Sequence, residues 1–334
     1  MTADEHLHTE EAIVQGYLAP LAAGAPGAHG LKDDCATIAP APGCELVLKT
    51  DAIAEGVHFL PTDAPQDIGW KALAVNVSDL AAKGARPLGY LMSLAFPLAP
   101  TKVWMAAFAA GLGEAQKAFG MHLLGGDTDR RPGPISITPM VIGEVEIGRM
   151  VPRAAAKAGD IACVSGTLGD SGLGLALQRD PTLATTWRLA PHEADHLGQR
   201  FLRPTPRIGL APALLKHARA SMDLSDGLMK DLGRMCRASG VGAVVDLPAL
   251  PMSAAFHSVI RIDPDAAAAS RFAGDDYEVL SAVAPEFFGA FQAAAATAGI
   301  PVTRIGIFTT GLELTLRDAA GSAIDIGPTG WDHF

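Results

Sequence analysis

Short, mostly apolar runs, separated by helix-length segments that close on glycine, constrain this chain more than any other feature. ELVLK, ISIT with MVIGEV, DIACVSG, GAVVDL, YEVLSAV, VTRIGIF and LELTLR read as strands. Several of them lack polar alternation, which asks for cover on both faces of a sheet. Between them, DIGWKALAVNVSDLAAKG offers Asp67 as an N-cap and Gly84 as a stop, KVWMAAFAAGLGEAQKAFG ends at Gly120, and LSDGLMKDLGRMCRASG ends at Gly240. TEEAIVQGYLAPL is expected to start the chain with a helix, since Ile13, Tyr17 and Leu21 recur at i, i+4 and i+8. The class is therefore α/β or α+β. A length of 334 residues with 49% hydrophobic content suits two cores. The Ala/Gly-rich GRMVPRAAAKAGD, residues 148–160, separates two self-sufficient sets of elements, and the domain boundary is placed there, giving 1–149 and 150–334.

The formal net charge is −10, and no run of Lys or Arg would track a nucleic-acid backbone or an anionic membrane. A polyphosphate bound by so acidic a chain would need metal ions. Cys35, Cys44, Cys163 and Cys236 are scattered, with no CxxC pair, and read as buried thiols of a reducing compartment. The acidic, polar MTADEHLHTEE is no signal peptide, and no apolar stretch is long enough to span a bilayer. A cytoplasmic protein with neither nucleic acid nor membrane as partner is expected.

The chemistry is carried by aspartates at element ends. GLKDDCATIAP sets Asp33 beside Asp34 ahead of a short apolar run. If that run is a buried strand, two adjacent carboxylates at its mouth repel strongly and must be solvated by water or by a cation. Asp51 follows ELVLKT, and Asp127 ends the run MHLLGG, whose glycines let backbone approach a ligand. Asn76, Asp79 and Lys83 share one stripe of a helix whose apolar side holds Leu73, Val77 and Leu80. SMDLSDG brackets Ser225 with Asp223 and Asp226 at a strand-to-helix junction, where free amides favour phosphate. Hard oxygen donors without His or Cys partners suit Mg2+.

No GxxxxGK[ST], no HRD with DFG, and no GxGxxG opening a helix after a strand are present, so this is not a P-loop protein. VSGTLGDSGLGLAL has strand, glycine loop and helix in order, and its glycines serve either a ligand or tight packing. PHEADH matches the HExxH of zinc proteases through His192, Glu193 and His196. Its polar flanks, and the lack of a downstream Glu before Glu278, favour a solvated helix face.

Taken in order, KDDCA, TDAIAEGVHF, KALAVNVSDLAAKGARP, GGDTDR, SGTLGDSGLGLAL, LRPTPRI, MDLSDGL, AGDDYEV and GWDHF resemble the thiamine-monophosphate kinases, of the aminoimidazole ribonucleotide synthetase superfamily. The resemblance covers nearly the whole chain. It implies a two-domain aminoimidazole ribonucleotide synthetase-like fold of mixed sheets covered by helices. Residues 1–149 would bind ATP and Mg2+ and pair their sheets in a homodimer, with 150–334 as the carboxy-terminal α/β domain. It also implies ATP-dependent phosphorylation of thiamine monophosphate by direct in-line transfer, without a protein base. By motif position, Asp34, Lys49, Thr50, Asp51, Asp79, Asp127, Asp223 and Asp226 fall at the metal sites. Gly126, Asp127, Arg153 and Ser225 would meet the nucleotide, and His58, Asp275 and Trp331 the thiamine monophosphate. The chain departs from the family pattern at three positions: Lys32 stands for a glycine, Lys49 for a serine, and Asp275 for a glutamate. Other ATP-dependent synthetases of the superfamily, or a non-catalytic nucleotide-binding regulator, are the alternatives.

Overall fold

The computed structural model describes residues 5–325 together with 330 and 331. The chain divides into two units, Met1–Leu80 with Ala85–Gly148, and Ala81–Gly84 with Arg149–Phe334.

The first unit holds α1 (Glu10–Ile13), β1 (Cys44–Thr50), β2 (Ile53–Ala54), α2 (Pro65–Ala82, whose last two residues belong to the second unit), β3 (Arg86–Phe96), α3 (Lys102–Phe119), β4 (His122–Arg130) and β5 (Ser136–Glu146). Its sheet runs β1-β5-β3-β4 with β2 on β5, antiparallel except for the parallel β3–β4 pair. Leu73, Val77 and Leu80 of α2, and Met105, Phe108 and Leu112 of α3, are buried, as their helical spacing requires. β1 is an outer strand, and its Leu48 is 60% exposed rather than covered on both faces.

The second unit holds β6 (Ile161–Ser165), α4 (Asp170–Arg179), α5 (Leu183–Thr186), α6 (Pro191–Leu202), α7 (Ala211–His217), β7 (Ala218–Asp223), α8 (Leu228–Ser239), β8 (Gly242–Asp246), α9 (Ala254–Ile262), α10 (Pro264–Ser270), β9 (Val279–Val283), α11 (Pro285–Thr297), β10 (Val302–Thr309), β11 (Leu314–Arg317) and β12 (Ala323–Ile324). The sheet order is β12-β11-β8-β10-β6-β9-β7, and only β11–β8 is parallel among these pairs. The central strands β6 and β9 are buried at every position, which is why they carry no polar alternation. Mixed sheets covered by helices are thus the architecture of both units.

Several local expectations are corrected. α1 stops at Ile13 and continues as a π-type turn over Val14–Leu18 and a 3-10 turn over Ala19–Ala22, because Gly16 and Pro20 interrupt the α-helical ladder. Asp67 lies inside the first turn of α2, which begins at Pro65. The run after Asp34 is no strand: residues 32–43 form neither helix nor strand, and both Asp33 and Asp34 are exposed to water. Cys163 and Cys236 are buried thiols as expected, whereas Cys35 is exposed and Cys44 half-buried.

Candidate active site

In the first unit, the end of β1 and one face of α2 bring together the acidic residues at Asp51 and Asp79. Asn76, wholly buried on α2, fixes the turn after β1. Its carboxamide oxygen accepts from the Asp51 amide at 2.7 Å, and its Nδ2 donates to the Asp51 carbonyl at 3.2 Å and to the Ala72 carbonyl at 3.1 Å. Asp51 is thereby held by its backbone, with its carboxylate left for other work. One turn on, Asp79 presents a second carboxylate, and the Lys49 ammonium lies between the two, 2.8 Å from Asp51 Oδ2 and 2.8 Å from Asp79 Oδ2. Burial by itself would lower the Lys49 pKa; the Asp79 and Asp51 carboxylates outweigh it and hold the group above the usual lysine range. A protonated amine has no lone pair, so the Lys49 side chain enters as a counter-charge and not as a ligand.

The Thr50 hydroxyl donates to the Pro139 carbonyl at 2.9 Å, so its oxygen can still act as an acceptor. Thr50, Asp34, Gly126 and Asp127 line one cavity of about 710 Å³ with apolar walls from Met92, Leu124 and Met140. Asp127 lies within β4, opposite Ser93, instead of at a strand end. Gly126 has an internal reason to be glycine, because a Cβ would collide with the Met92 carbonyl of the neighbouring strand. His58 Nδ1 accepts from the Ala54 amide at 3.1 Å, which assigns the proton of the neutral ring to Nε2.

In the second unit, β7 delivers Asp223, which is buried, and residues 224–227 loop into α8. This loop is laced to the segment before β9. The Leu224 amide donates to the Glu278 carbonyl, the Tyr277 amide to Leu224 and the Asp275 amide to Ser225, each at 2.8 Å. Asp231 on α8 reaches back to accept from the amides of Ser225 at 3.1 Å and Asp226 at 2.9 Å. Burial pushes the Asp231 carboxyl up to about 6. The Asp226 carboxylate is met by Arg234 at 2.5 Å and, more loosely, by Lys230 at 3.8 Å. Asp275 and Tyr277 both adopt left-handed backbone conformations, with φ of 59° and 51°. The Tyr277 hydroxyl donates to Asp275 Oδ1 at 3.1 Å. Trp331 joins the same place: its amide donates to the Asp226 carbonyl at 3.0 Å, its carbonyl accepts from Lys230, and its indole is 46% exposed.

The structure therefore gathers Lys49, Asp51 and Asp79 in one group, Asp34, Thr50, Gly126 and Asp127 around one cavity, and Ser225, Asp226, Asp275 and Trp331 in another group. Arg153 is exposed and shares its carbonyl with the Ser239 hydroxyl at 3.3 Å. Lys83 does not complete the Asn76–Asp79 stripe. It falls just past the end of α2 and donates to the Ser221 carbonyl of the second unit at 2.5 Å. The rest of GWDHF, residues 332–334, lies outside the described residues. Asp231 and Arg234 were not singled out by sequence reasoning; an Asp in the first turn of a glycine-led helix was the available signal.

Two motifs resolve into packing. In HExxH, Glu193 accepts from the Ala190 amide at 2.9 Å and from the Ser258 hydroxyl at 2.6 Å, while His196 Nε2 lies 3.1 Å from Asp170 Oδ2. In the glycine loop, the amide that opens α4 is already satisfied, Gly169 donating to buried Asp276 at 2.8 Å. A Cβ on Gly166 would strike the Glu278 carboxylate and one on Gly169 the Phe256 ring, so these glycines serve close approach.

Among the described residues, no three His, Cys, Asp or Glu side chains converge as a ready metal site. The donors nonetheless fit Mg2+ in kind: they are hard oxygens, and Asp51 and Asp79 already converge on a cation, the Lys49 ammonium.

The profile of AIR synthase related protein matches in two parts, its N-terminal domain over residues 32–145 and its C-terminal domain over residues 157–319. The thiamine-monophosphate kinase of Caulobacter vibrioides is 37% identical over 330 residues, covering 97% of this chain and 91% of that protein. The crystal structure of thiamine-monophosphate kinase from Stenotrophomonas maltophilia superposes with a TM-score of 0.83 at 35% identity, covering 96% of this chain and all of that one. That of AaThiL complexed with AMPPCP and TMP gives 0.76 at 34% identity, over 90% of this chain and 91% of that one. With such likeness along almost all of its length, and with the aspartate-bearing loops built as described, the chain belongs to the thiamine-monophosphate kinase family.

Proposed function

We propose that this chain transfers the γ-phosphoryl group of ATP to thiamine monophosphate, giving thiamine diphosphate. The observation that carries the reading is the relationship, over nine tenths of both chains, to a protein solved with AMPPCP and TMP together, a nucleotide and a phosphate acceptor on one molecule.

A phosphate monoester is already anionic at neutral pH, so it attacks in line without a protein base, and no catalytic residue is assigned. The obstacle is repulsion between two anions, made worse by a chain of net charge −10. Mg2+, several ions of it, supplies the positive charge when bound; Asp34, Thr50, Asp51, Asp79 and Asp127 of the first unit and Asp223 and Asp226 of the second would hold it. In the first unit Gly126 and Asp127 serve the nucleotide. In the second, Arg153 offers an exposed guanidinium and Ser225 a hydroxyl on the loop that Asp231 anchors. His58, Asp275 and Trp331 serve thiamine monophosphate.

Residues 1–149 are assigned the ATP, Mg2+ and dimerisation role, with 150–334 as the carboxy-terminal domain. Half-exposed Leu46 and Leu48 on the outer strand β1 are the kind of surface a second copy would cover, which supports a homodimer. No helix among the described residues is long and apolar enough to cross a membrane, in keeping with work in the cytoplasm.

The test is turnover of ATP with thiamine monophosphate, with and without Mg2+, followed by separation of the products. Equal amounts of ADP and thiamine diphosphate, formed only with the metal, are expected. ATP binding without turnover would favour the regulator, and no use of thiamine monophosphate would favour another synthetase of the superfamily.

A further inference from the structure

Lys49 sits where a bridging cation would. Its ammonium is equidistant, at 2.8 Å, from one carboxylate oxygen of Asp51 and one of Asp79. The arrangement is built rather than incidental: Asn76, wholly buried, clamps the backbone of Asp51 on both its amide and its carbonyl, so the main chain that carries one carboxylate is fixed relative to the helix that carries the other. Lys49 itself is the penultimate residue of β1, held in register opposite Val141 of β5, and its side chain is only 29% exposed. A divalent ion on the same two carboxylates would lie close to the ammonium and be repelled by it, so the two cations compete for the pair.

We infer that Lys49 is a resident counter-ion that competes with divalent metal for the Asp51–Asp79 pair, so that metal enters this pair only by displacing the ammonium. The inference rests on the proposal that these aspartates bind Mg2+. It has three consequences. In the absence of metal, the pair is neutralised and α2 stays tied to the end of β1. The pair is a weaker metal site than its two carboxylates would make alone. Each ion that binds there releases a positive side chain, which becomes available to an incoming anion.

Binding of Mn2+ alone, without nucleotide or thiamine phosphate, tests this on the full-length protein by electron paramagnetic resonance, with circular dichroism confirming the fold of each form. Lys49→Gln and Lys49→Met both remove the charge, so the test survives if one of them fails to fold. Each is expected to bind Mn2+ roughly 10-fold or more tightly than wild type at one site per chain. Lys49→Arg, which keeps the charge, should bind as wild type does, and Lys49→Gln combined with Asp79→Asn should lose the gain. In EDTA the charge-free variants should melt below wild type and recover when Mn2+ is added. Charge-free variants that bind Mn2+ no more tightly than a wild type that does bind it would overturn the competition and leave the carboxylate reading standing. Absence of Mn2+ binding in every form would overturn both.

Discussion

Trp331 shows how a single residue can be assigned by what fixes it. Trp331 is held through its own backbone, amide to the Asp226 carbonyl and carbonyl to Lys230, while the residue is 46% exposed. If Trp331 meets thiamine monophosphate as proposed, stacking with cation–π attraction to a thiazolium is worth about 0.5 to 2 kcal/mol. Trp331→Ala is therefore expected to raise KM for thiamine monophosphate roughly 2 to 30-fold, leaving KM for ATP and the melting temperature almost unchanged. A fall of several degrees in melting temperature with both KM values intact would instead show the indole to be an anchor. Asp226 is bound differently, its carboxylate spanned by Arg234 and Lys230. Asp226→Asn should keep the fold and lower kcat more than roughly 100-fold, since a neutral amide neither attracts Mg2+ nor balances those two cations. Near-normal turnover, measured alongside an unchanged circular dichroism melt, would remove Asp226 from the site.

At the scale of elements, Asp170 ties three helices together. Wholly buried at the start of α4, it accepts from the Thr167 hydroxyl and from the Ser253 hydroxyl, which caps α9, each at 2.6 Å, and it meets His196 of α6 at 3.1 Å. Burial alone would push this carboxyl up; its bonds to His196, Ser253 and Thr167 outweigh burial and hold it below the ordinary aspartate range. A depressed value means that the stabilisation is present above the unfolded pKa and is lost as pH falls through the folded one. Asp170→Asn should cost about 2 to 4 kcal/mol near neutral pH. Thermal melts should show the gap from wild type narrowing as pH falls through and below the ordinary aspartate range; a gap that is independent of pH would mean the charge contributes nothing. None of this was legible in the sequence, where the glycines around Asp170 left phosphate binding and packing equally open. The β6 and β9 strands were legible because runs buried along their whole length have few other places to go, and β8, β10 and β11 because their β-branched and apolar residues lie between turn signals. β3 escaped because Pro87 argues against an inner strand, and the structure accommodates it with a shift in register between Pro87 and Gly89. The edge exposure of β1 escaped as well, because periodicity describes a strand's faces but not its place in a sheet.

For the whole molecule, charge dominates what binding can look like. A chain of net charge −10 that takes two phosphate-bearing substrates has no excess of lysine and arginine to draw them in, so anion binding without metal works against the overall field. The aspartate motifs stood out in the sequence as a set, although any one Asp is as well explained by a cap or a turn. The counter-charges at Lys49 and Arg234 acquire meaning only once the fold sets them beside those carboxylates. Ligands that bind only the folded chain stabilise it by mass action, about 2.7 kcal/mol at a hundred times Kd. If metal and nucleotide need each other, the stabilisation from the pair must exceed the sum of the two alone, since each raises the other's affinity by the same factor. AMPPCP without divalent ion is expected to shift the melting temperature by less than about 1 °C, Mg2+ alone by little more, and the two together by roughly 5 °C or more. Differential scanning fluorimetry at matched ionic strength measures all four conditions, and the matching matters because added salt by itself screens an acidic chain. Shifts that merely add, or a full shift with AMPPCP alone, would show that the chain holds the nucleotide without help from a metal and would set the carboxylates aside from substrate binding.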